Sequence, residues 1–99
     1  MMPPTPVEFH PEAIAEAVAA ANWYRERSPR AGEAFLSEID HAVDRIAEAP
    51  EVWPPYLYGT HRFLLRRFPF SVVYRRISNT IQIIALAHGR RRPGYWKGR

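Results

Sequence analysis

The residues that could do chemistry gather late in this 99-residue chain: His88-Gly89-Arg90-Arg91-Arg92, then, after Pro93-Gly94, Tyr95-Trp96-Lys97. Cleavage of RNA by attack of a ribose 2′-hydroxyl on the adjacent phosphate needs a base, an acid for the leaving oxygen and positive charge for the phosphorane that forms. The arginines supply charge, His88 or His61 could move protons near neutral pH, and Tyr95 could act as acid or stack on a base. Residues 52–99 hold no carboxylate, and arginine is a poor base, so proton transfer would fall to histidine or to an acid from the first half. With His88, Arg90 and Tyr95 as catalytic members, the set is compatible with a metal-independent endoribonuclease without specifying one. A lone histidine at a strand end is more often a packing or hydrogen-bonding residue than a catalytic one. Tyr95-Trp96 could stack on nucleobases or anchor the tail on the core.

Other chemistries find less support. His10, His41, His61 and His88 are far apart and form no HxH or HxxxH pair, so no metal site is expected. Ser28, Ser37, Ser71 and Ser78 sit in no nucleophile motif, there is no glycine-rich phosphate loop, and no cofactor is expected.

The elements that must position these residues can be read from periodicity. Ile81-Gln82-Ile83-Ile84-Ala85-Leu86-Ala87 is an almost unbroken apolar run ending at His88-Gly89, a strand buried on both faces. Upstream, Pro6 to Phe9 predicts a short first strand. His10-Pro11-Glu12 opens a helix whose Ile14, Ala17, Val18, Ala21 and Tyr24 recur at three- and four-residue spacing as a core-facing stripe. Ser28-Pro29 stops it and caps a second helix, about Arg30 to Ala49, with Phe35, Ile39, Ala42, Val43 and Ile46 inward and Glu33, Glu38, Asp40, Asp44 and Glu48 on its solvated face. Glu51 to Gly59 reads as a loop. Strands follow at His61 to Phe68, Ser71 to Ile77 and Thr80 to His88, joined by two-residue turns at Pro69-Phe70 and Ser78-Asn79.

With Phe68 opposite Ser71 and Ile77 opposite Thr80, alternation puts Phe63, Leu65, Val72, Tyr74, Ile81, Ile83 and Ala85 under the helices. Arg62, Leu64, Arg66, Val73, Arg75, Gln82, Ile84, Leu86 and His88 then share the other face, where Arg66, Arg75 and His88 meet Arg90 to Arg92. Val73, Ile84 and Leu86 leave an apolar patch on that face which something should cover. The expected fold is α+β: an N-terminal strand and an αα-hairpin on a mainly antiparallel sheet of about four strands, in one domain spanning residues 1–99. Residues 1–5 are expected to be flexible and residues 89–99 to form a basic, aromatic tail.

Charge is divided along the chain. Residues 1–60 hold all ten acids and four arginines, a formal −6, and residues 61–99 hold nine arginines and Lys97 without an acid, a formal +10. Such a molecule presents one strongly positive surface, suited to a partner rich in phosphate or carboxylate. Cysteine is absent, which fits a reducing, cytoplasmic setting. Met1-Met2-Pro3-Pro4-Thr5-Pro6 has neither the basic nor the apolar segment of a signal peptide, and no run is long enough to span a bilayer, so neither export nor membrane insertion is expected.

The order strand, helix, helix, three strands, basic tail resembles the RelE/ParE superfamily, the toxins of type II toxin–antitoxin modules. The resemblance runs from Val7 to Trp96. It is carried by Ile46-Ala47-Glu48-Ala49-Pro50, by Arg67-Phe68-Pro69-Phe70-Ser71-Val72-Val73-Tyr74-Arg75 and by Ala87-His88-Gly89-Arg90-Arg91, blocks similar to those of ParE-like plasmid stabilisation proteins. It implies a growth-inhibiting cytoplasmic toxin held in a hetero-oligomer by a cognate antitoxin whose acidic segment, partly disordered when free, wraps it. Val73, Arg75, Ile84 and Leu86 would meet that antitoxin. Arg62, Arg66, Arg75, His88, Arg90, Arg91, Arg92, Tyr95 and Trp96 would meet the target.

RelE-like members cut mRNA on the ribosome as mRNA interferases; ParE-like members inhibit DNA gyrase by binding. The only lysine, Lys97, lies outside the sheet, where ribosome-dependent members use sheet lysines, and no C-terminal helix is evident. Both features favour the ParE-like side. A non-toxic basic nucleic-acid-binding module is the third possibility.

Overall fold

The computed structural model describes residues 3–99; the first two residues of the segment expected to be flexible lie outside that range. The elements are β1 (Val7–Phe9), α1 (Pro11–Arg27), α2 (Pro29–Glu48), a 3-10 turn (Leu57–Gly59), β2 (His61–Leu64), β3 (Phe70–Ile77) and β4 (Thr80–His88). Proline opens both helices, where its missing N–H costs nothing. The caps are His10, whose Nδ1 accepts the Glu12 N–H at 3.1 Å, and Ser28, whose Oγ accepts the Ala31 N–H at 3.3 Å.

Phe35, Ile39, Ala42 and Ile46 of α2 are buried, as their spacing requires. On α1 the inward stripe is instead Ala13, Ala20 and Ala21, with Ala17 and Tyr24 beside it, while Ile14 and Val18 are half exposed. Gly32 of α2 lets the two helices approach closely: a Cβ there would sit 2.9 Å from the Arg25 Cβ and 3.1 Å from its Cα.

The four strands form one mixed sheet in the order β1-β4-β3-β2, with β1 parallel to β4 and the other pairs antiparallel. Two features depart from simple alternation. β2 ends at Leu64, and Leu65 to Pro69 form a longer connection. Leu64 therefore faces Ser71 where Phe68 opposite Ser71 would have put it against Arg75, a shift of four residues that leaves each side chain on its expected face. Glu38 of α2 holds this connection. Its carboxylate accepts the backbone N–H groups of Arg66 and Arg67, the latter at 3.1 Å, and the Arg67 Nε–H at 3.0 Å.

The second departure has larger effects. Ile77 pairs with Thr80 and Tyr74 with Ile83, but Val73 pairs with Ala85, so β4 carries a bulge. Ile84 and Ala85 both join the outer face, and Leu86 turns inward beside Val72. His88 comes opposite Phe70 and packs edge-on against its ring at 5.0 Å. The expected placements of Ala85, Leu86 and His88 are thereby reversed.

The outer apolar face is covered by the chain itself. Residues 89–99 turn back across it, and Trp96, 3% exposed, packs with Val73, Ile84 and Ala85. Tyr95 and Arg99 fasten the tail to α1: Tyr95 Oη donates to Glu16 at 2.7 Å, and Arg99 donates to both Glu16 oxygens at 2.9 Å. The same groups finish the edge of β4 beyond β1, for Glu16 accepts the Leu86 N–H at 3.1 Å and Arg99 donates to the Ile84 carbonyl at 3.0 Å. Burial pushes the Glu16 pKa up, but hydrogen bonds from Arg99, Tyr95 and the Leu86 N–H, with the Arg99 charge, outweigh it and hold the carboxyl below its ordinary value.

Two measurements check this packing. Ile39→Ala and Ile83→Ala should each lower unfolding free energy by about 2–5 kcal/mol in urea titrations, the range for a buried Ile truncated to Ala. Glu16→Gln should cost about 1.5–3 kcal/mol at neutral pH, through weakened hydrogen bonds to a charge. Because the folded pKa of Glu16 is depressed, its contribution is complete above the ordinary value of about 4.5 and is lost as pH falls through the folded value. The gap between wild type and Glu16→Gln should therefore close in acid; a gap constant with pH would contradict the arrangement.

Candidate functional site

A concavity of about 840 Å³ runs between α1 and the end of the β3–β4 pair. Its wall on α1 is Glu16, Ala19, Ala20, Trp23 and Tyr24, and facing it are Pro69, Phe70, Leu86, His88 and the turn Gly89 to Arg91. Each side follows from a feature of the fold. Ala19 and Ala20 leave space that larger residues would fill. The bulge in β4 turns Leu86 and His88 toward α1 when strict alternation would send them away. Phe70 belongs to an aromatic cluster with Tyr24, Phe35 and Phe68, centroids 4.8–6.4 Å apart, that makes the end wall rigid.

The groove is apolar along its floor and basic at its mouth. Trp23 is 50% exposed at its rim, with the Arg27 guanidinium 3.4 Å from the ring centroid. His88 Nδ1 accepts the Arg90 N–H at 3.0 Å, and Gly89 N–H donates to the Pro69 carbonyl at 2.7 Å, which fixes the turn that carries Arg90 and Arg91. Glu16, the one acid in the lining, already has Arg99 as its counter-ion.

The expected target-binding residues do not share one face. His88, Arg90 and Arg91 stand together at the groove mouth, with Arg92 exposed in the same turn. Arg66 lies in the β2–β3 connection with its backbone on Glu38. Arg62 is on the outer face over the Tyr56 ring, 4.2 Å from its centroid. Arg75, on that face also, is engaged in structure: its Nε donates to Gln82 at 2.9 Å and its Nη2 to the Arg99 carbonyl at 3.1 Å.

Tyr95 lies under Arg91, 3.7 Å from the guanidinium, and its hydroxyl is given to Glu16. Burial, then the hydrogen bond to Glu16 and the charge of that carboxylate, raise its pKa far above neutrality, so it gives up a proton only at high cost. Trp96 is buried as an anchor. Of the residues expected to meet an antitoxin, Val73 and Ile84 lie beneath the tail, Arg75 is tied to the tail's backbone, and Leu86 alone lines the groove. Trp23, Tyr24, Phe70 and Glu16 complete the groove and were absent from the expected set. Their signal in the sequence was faint: a Trp off the inward stripe and an Ala-Ala pair wide enough to leave a channel.

The comparisons agree with this architecture. A solved structure described as the chromosomal ParDE TA system from P. aeruginosa superposes with a TM-score of 0.75 over 85% of this chain and 95% of that one, at 19% identity, and shares the fold. Toxin ParE2 of Mycobacterium tuberculosis, from strain CDC 1551 / Oshkosh and from strain ATCC 25618 / H37Rv, is 28% identical over 75 residues, which are 75% of this chain and 71% of the relative. The model of the family described as ParE toxin of type II toxin-antitoxin system, parDE, matches residues 7–93, and on that match the chain belongs to the ParE toxin family within the RelE/ParE superfamily.

Proposed function

We propose that this ParE-type toxin inhibits growth by binding DNA gyrase and is neutralised by a cognate antitoxin seated in the groove between α1 and β4. The groove itself carries the antitoxin half of the proposal. An apolar channel with His88, Arg90 and Arg91 at its mouth is complementary to an amphipathic segment whose apolar side chains fill the floor and whose carboxylates meet the arginines. The half-exposed Trp23 at its rim is the kind of residue on which binding energy concentrates.

Binding, not RNA cleavage, is favoured for the toxic act by what the candidate catalytic groups are doing. Tyr95 has committed its hydroxyl to Glu16, and Arg75, a charge that could have served the phosphorane, gives two of its donors to Gln82 and the tail. His88 has its Nδ1 on the Arg90 N–H and its ring against Phe70. A general acid–base pair needs groups free to exchange protons with a substrate, and the Tyr95 hydroxyl is held by Glu16 instead.

Two experiments test the reading. With the antitoxin candidate taken from an adjacent reading frame, Trp23→Ala should weaken the complex by at least about 30-fold, the scale of an interface hot spot, with melting temperature unchanged; unaltered affinity would move the antitoxin elsewhere. In cells induced without antitoxin, pulse labelling should show DNA synthesis failing before protein synthesis. Early loss of translation with intact DNA synthesis would favour the ribonuclease reading and make His88→Ala decisive.

A further inference from the structure

On the side of the sheet away from the groove, aromatic rings and cations alternate across the surface. Arg62 lies over Tyr56, the Tyr56 ring is 6.0 Å from that of Trp96, Trp96 is 5.9 Å from Tyr58, and the Lys97 Nζ sits 4.6 Å from the Tyr58 centroid. Trp96 is the buried support; Tyr58, 60% exposed, is the presented ring. Its backbone is in the left-handed region at φ 59°, ψ 41°, followed by Gly59 at φ 73°, a conformation that costs a non-glycine residue free energy. Gly94 makes room for the ring: a Cβ there would come within 2.9 Å of Tyr58 Cε2. The fold thus holds a large aromatic side chain in a strained backbone, on a glycine seat, facing solvent beside Lys97, with Arg62 over the neighbouring Tyr56 ring.

We propose that this surface is a binding platform for single-stranded nucleic acid, with Tyr58 stacking on a base and Arg62 and Lys97 meeting the flanking phosphates. Positive charge alone would serve any polyanion; the presented ring is what distinguishes a strand with free bases from an acidic peptide or a closed duplex. The surrounding sequence suits such a ligand, since residues 52–99 contain no Asp or Glu to repel phosphate. The platform is separate from the groove assigned to the antitoxin and shares none of its lining residues.

Fluorescence anisotropy of the full chain with short labelled oligothymidylate and oligouridylate tests this, with a duplex and a polyglutamate peptide as competitors at roughly 50 and 200 mM salt. Both single strands should bind more tightly than either competitor, and whichever binds better identifies DNA or RNA as the ligand. Tyr58→Phe should keep the affinity. Tyr58→Asn, which suits the left-handed backbone and removes the ring, should weaken it about tenfold. Arg62→Gln should weaken it and flatten its salt dependence, whereas Trp23→Ala in the groove should leave it unchanged. Absence of saturable binding at low salt overturns the proposal. So does affinity for duplex or polyglutamate equal to that for the single strands, or a Tyr58→Asn variant that melts like wild type and binds as well.

Discussion

One carboxylate ties together three parts of this molecule: α1, the end of β4 and the tail. Glu16 projects from α1 and accepts hydrogen bonds from the Leu86 amide of β4, from the Tyr95 hydroxyl and from the Arg99 guanidinium. Half-buried between a helix and a sheet edge, an unpaired carboxylate would be costly, and a sheet edge with free amides would invite pairing with another chain. Each problem is the other's remedy, and Arg99 completes the arrangement by covering the Ile84 carbonyl. The tail is thereby drawn over the outer face and Trp96 is buried, while the groove beside α1 stays open.

Glu38 performs a related task at the β2–β3 connection, gathering the amides of Arg66 and Arg67 and so shaping the segment that leads into β3. Neither acid is merely solvated. In a chain whose second half is so basic, the few carboxylates that reach it act as clamps. Arginines here divide accordingly: Arg67, Arg75 and Arg99 have partners within the protein, while Arg90 and Arg92 stand in solvent. Total charge says little about which surface recognises a partner; the division between engaged and unengaged cations says more.

What the sequence disclosed tracks how unambiguous its periodicity is. The second helix carries large apolar residues on one side and acids on the other, so its stripe, its cap at Ser28 and its end near Pro50 could all be read directly. The first helix is rich in alanine, which is small enough to sit on any face, and its two largest aliphatics, Ile14 and Val18, pointed to the wrong stripe. The Ile77–Thr80 turn was legible; the bulge at Ile84–Ala85 was not. An apolar residue occupies nearly every position from Ile81 to Ala87, so alternation carries no phase there and an extra residue leaves no trace. That single residue decides whether Leu86 and His88 belong to the groove, and this is why the candidate site was the least legible part of the chain. Tyr95-Trp96 allowed both stacking and anchoring; burial of Trp96 against Val73 and Ile84 resolves it as an anchor.

The parallel pairing of β1 with β4 has a temporal side. Val7 finds its partner only in Ile81, so the first strand to be synthesised waits for nearly the last. At translation rates of about 5–20 residues per second, that interval is on the order of 4–15 s. For all of it the helices have no completed sheet to rest on, and their alanine and aromatic surfaces are exposed. A nascent chain that ends before β4 has neither the groove nor the fastened tail, and its helices lack the sheet on which they pack.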